Sequence, residues 1–210
     1  MAAPHESRVY SDLSRFYDSV FGRAFVDHEH EVIEATNWRP GQQVLEVGVG
    51  TGISLDAYPP YVHVVGIDPS ADMLKHATEK VRENGWGHVE LHQGDAQALE
   101  FPDNTFDYVC SFHVMTVVPD PVRKMTEMVR VCKPGGRIIV INHFASPHPV
   151  LYFFSKMINP VTQLLGWTTR LRVRDVLDGH PINVERNEKV SRLSVHSVII
   201  AQKEPLNGHS

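Results

Sequence analysis

The chain has 210 residues, room for one well-buried domain but not for two joined by a linker. With 42% hydrophobic and 21% charged residues it is neither a disordered tail, a collagen-like fibre nor a polytopic membrane protein. Twenty Lys and Arg stand against 25 Asp and Glu, a formal charge of -5, so bulk charge does not draw the surface to nucleic acid or an anionic bilayer.

Residues 8–21 pattern as an amphipathic helix, with Val9, Leu13, Phe16 and Val20 on one face and Tyr10, Tyr17 and Phe21 flanking it. A second helix, with Phe25, Val26, Val32 and Ile33 inward, ends before the turn at Trp38, Pro40 and Gly41. The string DHEHEVIEA looks like a zinc motif, but neither His28 nor His30 is followed by a glutamate and then a histidine at helical spacing. These histidines therefore read as solvent-facing, with no metal expected.

From there strands and helices alternate. QVLEVG runs into the glycine-rich VGTG and a short helix; VHVVGID leads to a helix with Met73, Leu74, Ala77 and Val81 on one face. HVELHQ and FDYVCSF are the third and fourth strands. A helix then opens with Asp120 as N-cap and Pro121 at its first position, and KPGG turns into the strand RIIVIN. The pattern predicts five parallel strands joined by crossover helices. Cys110 falls in an apolar run and Cys132 at the end of a helical run, without CxxC spacing or a signal peptide, which predicts reduced thiols and a cytoplasmic chain.

After Phe144 comes a basic, apolar insertion carrying Lys156, Arg170, Arg172 and Arg174 without an acid. It is too often interrupted to supply the roughly 20 apolar residues of a spanning helix. INVERNEKV and RLSVHSVIIAQ are the last two strand candidates, and EPLNGHS is a tail. The chain thus divides into N-terminal lid helices (1–38), a core (39–144), the insertion (145–180) and terminal strands (181–210) of a single domain. Its class is α/β: a Rossmann-like, mostly parallel sheet of seven strands with helices on both faces.

Gly48, Gly50 and Gly52 lie where a buried strand turns into a helix, and there only residues without a β-carbon let a ligand approach the backbone. The spacing is GxGxG. Ile53 stands where a dinucleotide fold wants its third glycine, so a pyrophosphate is disfavoured. Glu46 precedes the loop, Asp68 ends the second strand where a carboxylate can accept both ribose hydroxyls, and Asp95 ends the third, placed for an adenine amino group. Three acids around one crevice suit an adenosine bearing cations and no phosphate, and S-adenosylmethionine is such a molecule.

The runs VLEVGVGTG, VVGIDPSADML, QGDAQALEFPDNTFDYVCSFHVM and VCKPGGRIIVIN resemble, in order, the successive motifs of class I S-adenosylmethionine-dependent methyltransferases. The resemblance implies that Pro69 and Met73 border the adenine, that Ala96 offers its backbone amide, and that Ser111, Phe112 and His113 sit at the mouth of the methyl-transfer pocket. It implies S-adenosylhomocysteine as the spent cofactor.

Ser111, Phe112, His113 and Val114 stand where a DNA amino-methylase carries (D/N)PPY, so no nucleic-acid partner is expected. The buried Cys110 disfavours an arsenite or thiol enzyme. SRFYDSVFGRAF, INHF and the basic insertion resemble bacterial phospholipid N-methyltransferases, which convert phosphatidylethanolamine to phosphatidylcholine through mono- and dimethyl intermediates. That implies a phospholipid substrate and peripheral contact of the insertion, including Lys156, Arg170, Arg172 and Arg174, with the anionic inner face of a membrane. A quinone or other small-molecule methyltransferase, or a non-catalytic S-adenosylmethionine- or lipid-binding module, stays open.

An ethanolamine ammonium with a pKa near 10 costs about 4 kcal/mol to neutralise at pH 7, and a neighbouring sulfonium and apolar walls lower that cost. Tyr10, Tyr17 and Phe112 can hold a methylated ammonium against aromatic faces. His113 and His143, each just past a strand end, are the candidates to take the amine proton or bind the lipid phosphate.

Overall fold

The computed structural model describes residues 22–144, 171–189 and 196–205, with the side chains of 22–27 left aside. The first expected helix, with Tyr10 and Tyr17, and most of the insertion, with Lys156 and Arg170, lie outside these residues.

The described elements are α1 (Gly22–Glu34), β1 (Gln43–Val47), a 3-10 turn (Leu55–Ala57), β2 (His63–Asp68), α2 (Ala71–Asn84), β3 (Val89–Gln93), β4 (Phe106–Phe112), α3 (Pro121–Val131), β5 (Cys132–His143), α4 (Val173–Leu177), β6 (Ile182–Lys189) and β7 (His196–Lys203). The strands form one seven-stranded sheet in the order β3-β2-β1-β4-β5-β7-β6. All neighbours from β3 to β5 pair in parallel, while β7 runs antiparallel to both β5 and β6. The expected Rossmann-like architecture is the one found.

The period of two along each strand sorts side chains onto two cores. Leu45, Val47, Val109, Ile138, Val140 and Ile199 face one side and pack with Met125, Met128 and Val129 of α3 and Val176 and Leu177 of α4. Val44, Tyr108, Cys110, Phe112, Ile139, Ile141 and Val198 face the other, with Val32 and Ile33 of α1, Trp38, Leu55, Tyr58 and Leu74.

Local chemistry sets the helix ends. The Ser70 hydroxyl accepts from Met73 N at the start of α2, and the Asp120 carboxylate accepts from Arg123 N at the start of α3, with Pro121 at the first position. Gly85, at φ 66°, closes α2 as its N–H reaches the carbonyl of Arg82.

The last parallel strand begins earlier than the sequence suggests. Cys132 leaves the helix and already pairs with Phe106, and the register then slips so that Tyr108 pairs with Arg137. The KPGG turn is thus a bulge inside β5, not its entrance. Both cysteines are buried free thiols, and burial pushes Cys110 up and Cys132 to about 12.

Candidate functional site

In a sheet of this order the strands are added to one side of β1 through β3 and to its other side from β4 onward, and the loops at the carboxyl ends of β1 and β4 open a crevice.

On one side is the glycine loop. Gly48 N and Val49 N both donate to Ile67 O, at 2.8 and 2.9 Å, which locks the loop onto the end of β2. Gly48 has φ 90°, and a β-carbon there would lie 2.4 Å from the Val114 side chain, so the loop and the segment after β4 fit only with glycine between them. At Gly50 the nearest atom to an added β-carbon is Met73 Sδ, at 3.7 Å; this glycine opens a cradle toward Met73.

Asp68 ends β2 as expected. Its Oδ2 accepts from Gly50 N at 3.0 Å and its Oδ1 from Ser70 N at 2.9 Å. Burial raises its pKa, while these two N–H groups and the Lys124 ammonium act against that rise. Each oxygen keeps a lone-pair direction for a ligand hydroxyl. Pro69 is exposed and Met73 half-buried beside it. Asp95 lies two residues beyond β3 rather than at its end, where Oδ1 accepts from Gln97 N at 2.8 Å in a tight turn, and Ala96 is buried behind it. Arg130 clamps this loop by donating to the carbonyls of Leu99 and Phe101. The open cradle at Gly50, the carboxylates of Asp68 and Asp95 and the thioether of Met73 fit an adenosyl group.

Glu46, Ser111 and Phe112 depart from their expected positions. Glu46 is turned into the interior, where Oε1 accepts from Ser54 Oγ at 2.6 Å and Oε2 from Tyr58 Oη at 2.8 Å. Burial raises it to about 7 against those two bonds. Its side chain braces the loop from behind instead of lining the crevice. Ser111 and Phe112 are likewise core residues, not the mouth of a pocket: the Ser111 hydroxyl is fully buried against Lys124, and Phe112 packs with Cys110 and Ile141. Alternation turns the two to opposite faces of β4, and both faces are covered, Ser111 by Lys124 of α3 and Phe112 by the second core.

The other side of the crevice is built from distant parts of the chain. His113 has φ 59°, a left-handed backbone that swings it off the end of β4. Two bonds hold that turn: His113 N donates to Ile141 O at 2.7 Å, and Met115 N donates to the fully buried Asn142 Oδ1 at 3.1 Å. The ring meets Glu29 of α1, with Nε2 3.4 Å from Oε1, and lies edge-on to His196, 5.0 Å between centroids. His196 is in turn 6.2 Å from His143.

Burial, with neighbouring His196, His143 and His28, drives His113 down to about 3, and burial lowers His196 to about 4. Burial and the Glu46 charge raise Glu29 to about 8. At pH 7 Glu29 and His113 are therefore a neutral carboxylic acid against a neutral imidazole.

Glu29, His28 and His196 have no place in the motifs. Glu29 shares a helical face with the buried Val32 and Ile33, so an acid on the apolar stripe was the available signal. The two helix histidines are not solvent-facing. His28 is half-buried beside the cluster, and His30 Nε2 lies 3.0 Å from Asp56 Oδ1, tying α1 to the 3-10 turn. No group of three or more His, Cys, Asp or Glu able to hold a metal occurs among the described residues.

Of the basic residues, Arg172 is not offered alone to a surface. Its Nε and Nη2 each donate to Asp175 at 2.9 Å, a forked pair that holds the aspartate below the usual carboxylate range. Arg174 is more exposed, 3.8 Å from the same carboxylate. No helix among the described residues is long and apolar enough to cross a membrane.

Residues 45–140 match the family model described as a methyltransferase domain. A phosphatidylethanolamine N-methyltransferase of Cereibacter sphaeroides is 43% identical over 81% of this chain and 83% of its own length. A demethylmenaquinone methyltransferase of Anoxybacillus flavithermus is 37% identical over 71% of this chain and 65% of its own. Among solved structures, an S-adenosylmethionine-dependent methyltransferase from Methanosarcina mazei superposes with a TM-score of 0.65 at 25% identity, covering 80% of this chain and 95% of that one. One from Aquifex aeolicus, at 22% identity and a TM-score of 0.60 over 97% of this chain and all of that one, shares the fold. Sheet order, glycine loop and relatives agree: the chain belongs to the S-adenosylmethionine-dependent methyltransferases.

Proposed function

We propose that this methyltransferase acts on the amine of phosphatidylethanolamine and of its mono- and dimethyl intermediates, towards phosphatidylcholine, at a membrane surface. The observation that carries this reading is the extent of the likeness to the Cereibacter phosphatidylethanolamine enzyme, which runs through most of both chains. The crevice adds a chemical reason: a buried carboxyl whose neighbours are neutral histidines suits an acceptor that arrives as a cation and must lose a proton.

Bound against Gly50, Asp68 and Met73, the cofactor supplies a methyl group made electrophilic by its sulfonium. The chain's own part is to hold the donor and manage the acceptor's proton. An ammonium entering the crevice offsets the cost of a buried charge, so Glu29 ionises beside it and gives up its own proton to solvent as the acceptor enters. A carboxylate 3.4 Å from His113 Nε2 raises the basicity of that ring, and the proton leaving the amine is held between Nε2 and Oε1. The nitrogen lone pair is then free to attack. Alignment for in-line displacement can contribute roughly 7 kcal/mol or more. Tyr10 and Tyr17 fit this scheme as aromatic partners of the methylated ammonium, and Lys156, Arg170, Arg172 and Arg174 as contacts to anionic headgroups.

The demethylmenaquinone relatives favour a second reading, methylation of a quinone ring in the same crevice. Incubation with labelled methyl donor and, separately, phosphatidylethanolamine, its mono- and dimethyl forms and a demethylated quinone decides between them. Labelled phospholipid is the expected product; label in the quinone alone would establish the second reading.

A further inference from the structure

Lys124 is fully buried in the first turn of α3, a helix that otherwise turns Met125, Met128 and Val131 inward. Its Nζ donates to Ser111 Oγ at 2.6 Å and to Val47 O at 3.4 Å. Val47 is the last residue of β1 and immediately precedes Gly48; Ser111 is next to last in β4. The ammonium therefore sits between α3 and the ends of β1 and β4, where the strand order reverses, bonded to the residue that leads into the glycine loop.

Stability does not call for a charge there. An ammonium stripped of water with only a hydroxyl and a carbonyl for company is costly, and an unbranched apolar side chain would fill the same tunnel. What the position gains is a counter-charge. Val47, whose carbonyl takes the ammonium, pairs in register with Ile67, and Gly48 N donates to Ile67 O; the next residue is Asp68, which carries the bond to Gly50 N that shapes the cradle. The charges of Lys124 and Asp68 act on one another.

We infer that Lys124 is a positioning residue for the methyl donor: anchored on Ser111 and the Val47 carbonyl, it supplies from beneath the positive charge that holds Asp68 as the ligand-facing carboxylate. Burial opposes both ions. It lowers Lys124 to about 7 and raises Asp68, and each charge works against the shift of the other. The groups that face this pair are Val47 O of β1, Ser111 of β4, and the backbone amides of Gly50 and Ser70. The inference does not depend on which acceptor is methylated.

The test is Lys124→Met in the full chain, because methionine keeps the length and loses the charge. The ligand-free melting temperature should hold or rise. The dissociation constant for S-adenosylmethionine at pH 7 should rise about tenfold. The acid limb of binding should move up by about one pH unit, because an Asp68 without its counter-charge takes a proton more readily. A double-mutant cycle with Asp68→Asn should be non-additive in affinity. An unchanged dissociation constant, whatever the melting temperature, overturns the inference, as does a weakened affinity with no shift in the acid limb. Should Lys124→Met fail to fold, Ser111→Ala frees the ammonium from its anchor while leaving the charge. It should move the acid limb the same way by less, and an unmoved limb overturns the inference.

Discussion

Glu29 Oε1 stands 3.4 Å from His113 Nε2, a contact between the first described helix and the end of the fourth strand that closes the crevice from two sides. Burial raises the acid to about 8 and lowers the imidazole to about 3, so the pair waits uncharged. If it holds the acceptor's proton, Glu29→Gln should lower turnover on every amine acceptor by on the order of a hundredfold, with cofactor affinity within a factor of about three. Steady-state rates with calorimetric binding of the donor check this; full activity in Glu29→Gln would remove the pair from the reaction.

The same acid leaves a signature in ligand-free stability. A glutamate raised to about 8 in the folded state and near 4.5 unfolded binds more protons folded, so its contribution falls as pH rises between those values. His113 and His196, lowered to about 3 and about 4, act in the opposite sense up to the ordinary histidine range. The difference between variant and wild type isolates Glu29. The stability of Glu29→Gln relative to wild type should climb from about pH 4.5 to about pH 8 and then level off. Urea unfolding at five or six pH values reads this out, and a flat difference would mean that Glu29 is not desolvated.

On the donor side, Asp68→Ala removes the acceptor of two backbone amides and the carboxylate expected to take the ribose hydroxyls. A hydrogen bond to a charged group is worth about 1.5–3 kcal/mol, so S-adenosylmethionine should bind at least tenfold more weakly. Calorimetry on the folded variant checks it. Unchanged affinity would place the ribose elsewhere.

Two glycines with positive φ separate strain from collision. A β-carbon at Gly85, φ 66°, meets open space, whereas one at Gly48, φ 90°, lands 2.4 Å from Val114. Gly85→Ala should cost about 1 kcal/mol of stability, from backbone strain alone. Gly48→Ala should cost at least about twice that and abolish donor binding, and adding Val114→Ala should recover only part of it. Equal losses at the two positions would contradict the close packing of the loop.

For the proposed membrane contact, the fork between Arg172 and Asp175 already occupies one guanidinium, while Arg174 is the more open of the two. Arg174→Ser should therefore weaken binding to anionic vesicles by about 1 kcal/mol and Arg172→Ser by less. Vesicle co-sedimentation at fixed salt gives the comparison; a larger effect at Arg172 would reverse the assignment.

The parts of this molecule governed by near neighbours in the chain were legible before any coordinates. VLEV and VVGID read as buried strands because their apolar runs end at turn residues, and Ser70, Asp120 and Pro121 mark helix starts by local bonding. Gly48, Gly50, Gly52 and Asp68 were legible for the same reason. Its charge beside the glycine loop assigns Glu46 to the crevice, and the family resemblance assigns Ser111 and Phe112, but which way a strand side chain points depends on what packs against each face of the sheet. The Glu29–His113 pair was out of reach because the partners come from separate elements that only the tertiary fold brings together. Lys124 was hidden by an ordinary expectation, that a lysine on a helix points to water. Its spacing from Met128 and Val131, on one helical face, was the contrary sign.

The reversed direction of β7 has a consequence for how the enzyme comes into being. Because that strand runs against its neighbours, its first residue, His196, arrives at the same end of the sheet as His113 and His143. The residues expected to hold the donor, Gly48 to Ala96, precede His196 in the chain and are translated before it, so the crevice beside His113 is completed only after the donor cradle can form. A ribosome stalled, or a protease cutting, before residue 196 would thus leave a chain with the glycine loop and Asp68 in place and an unfinished crevice on the other side.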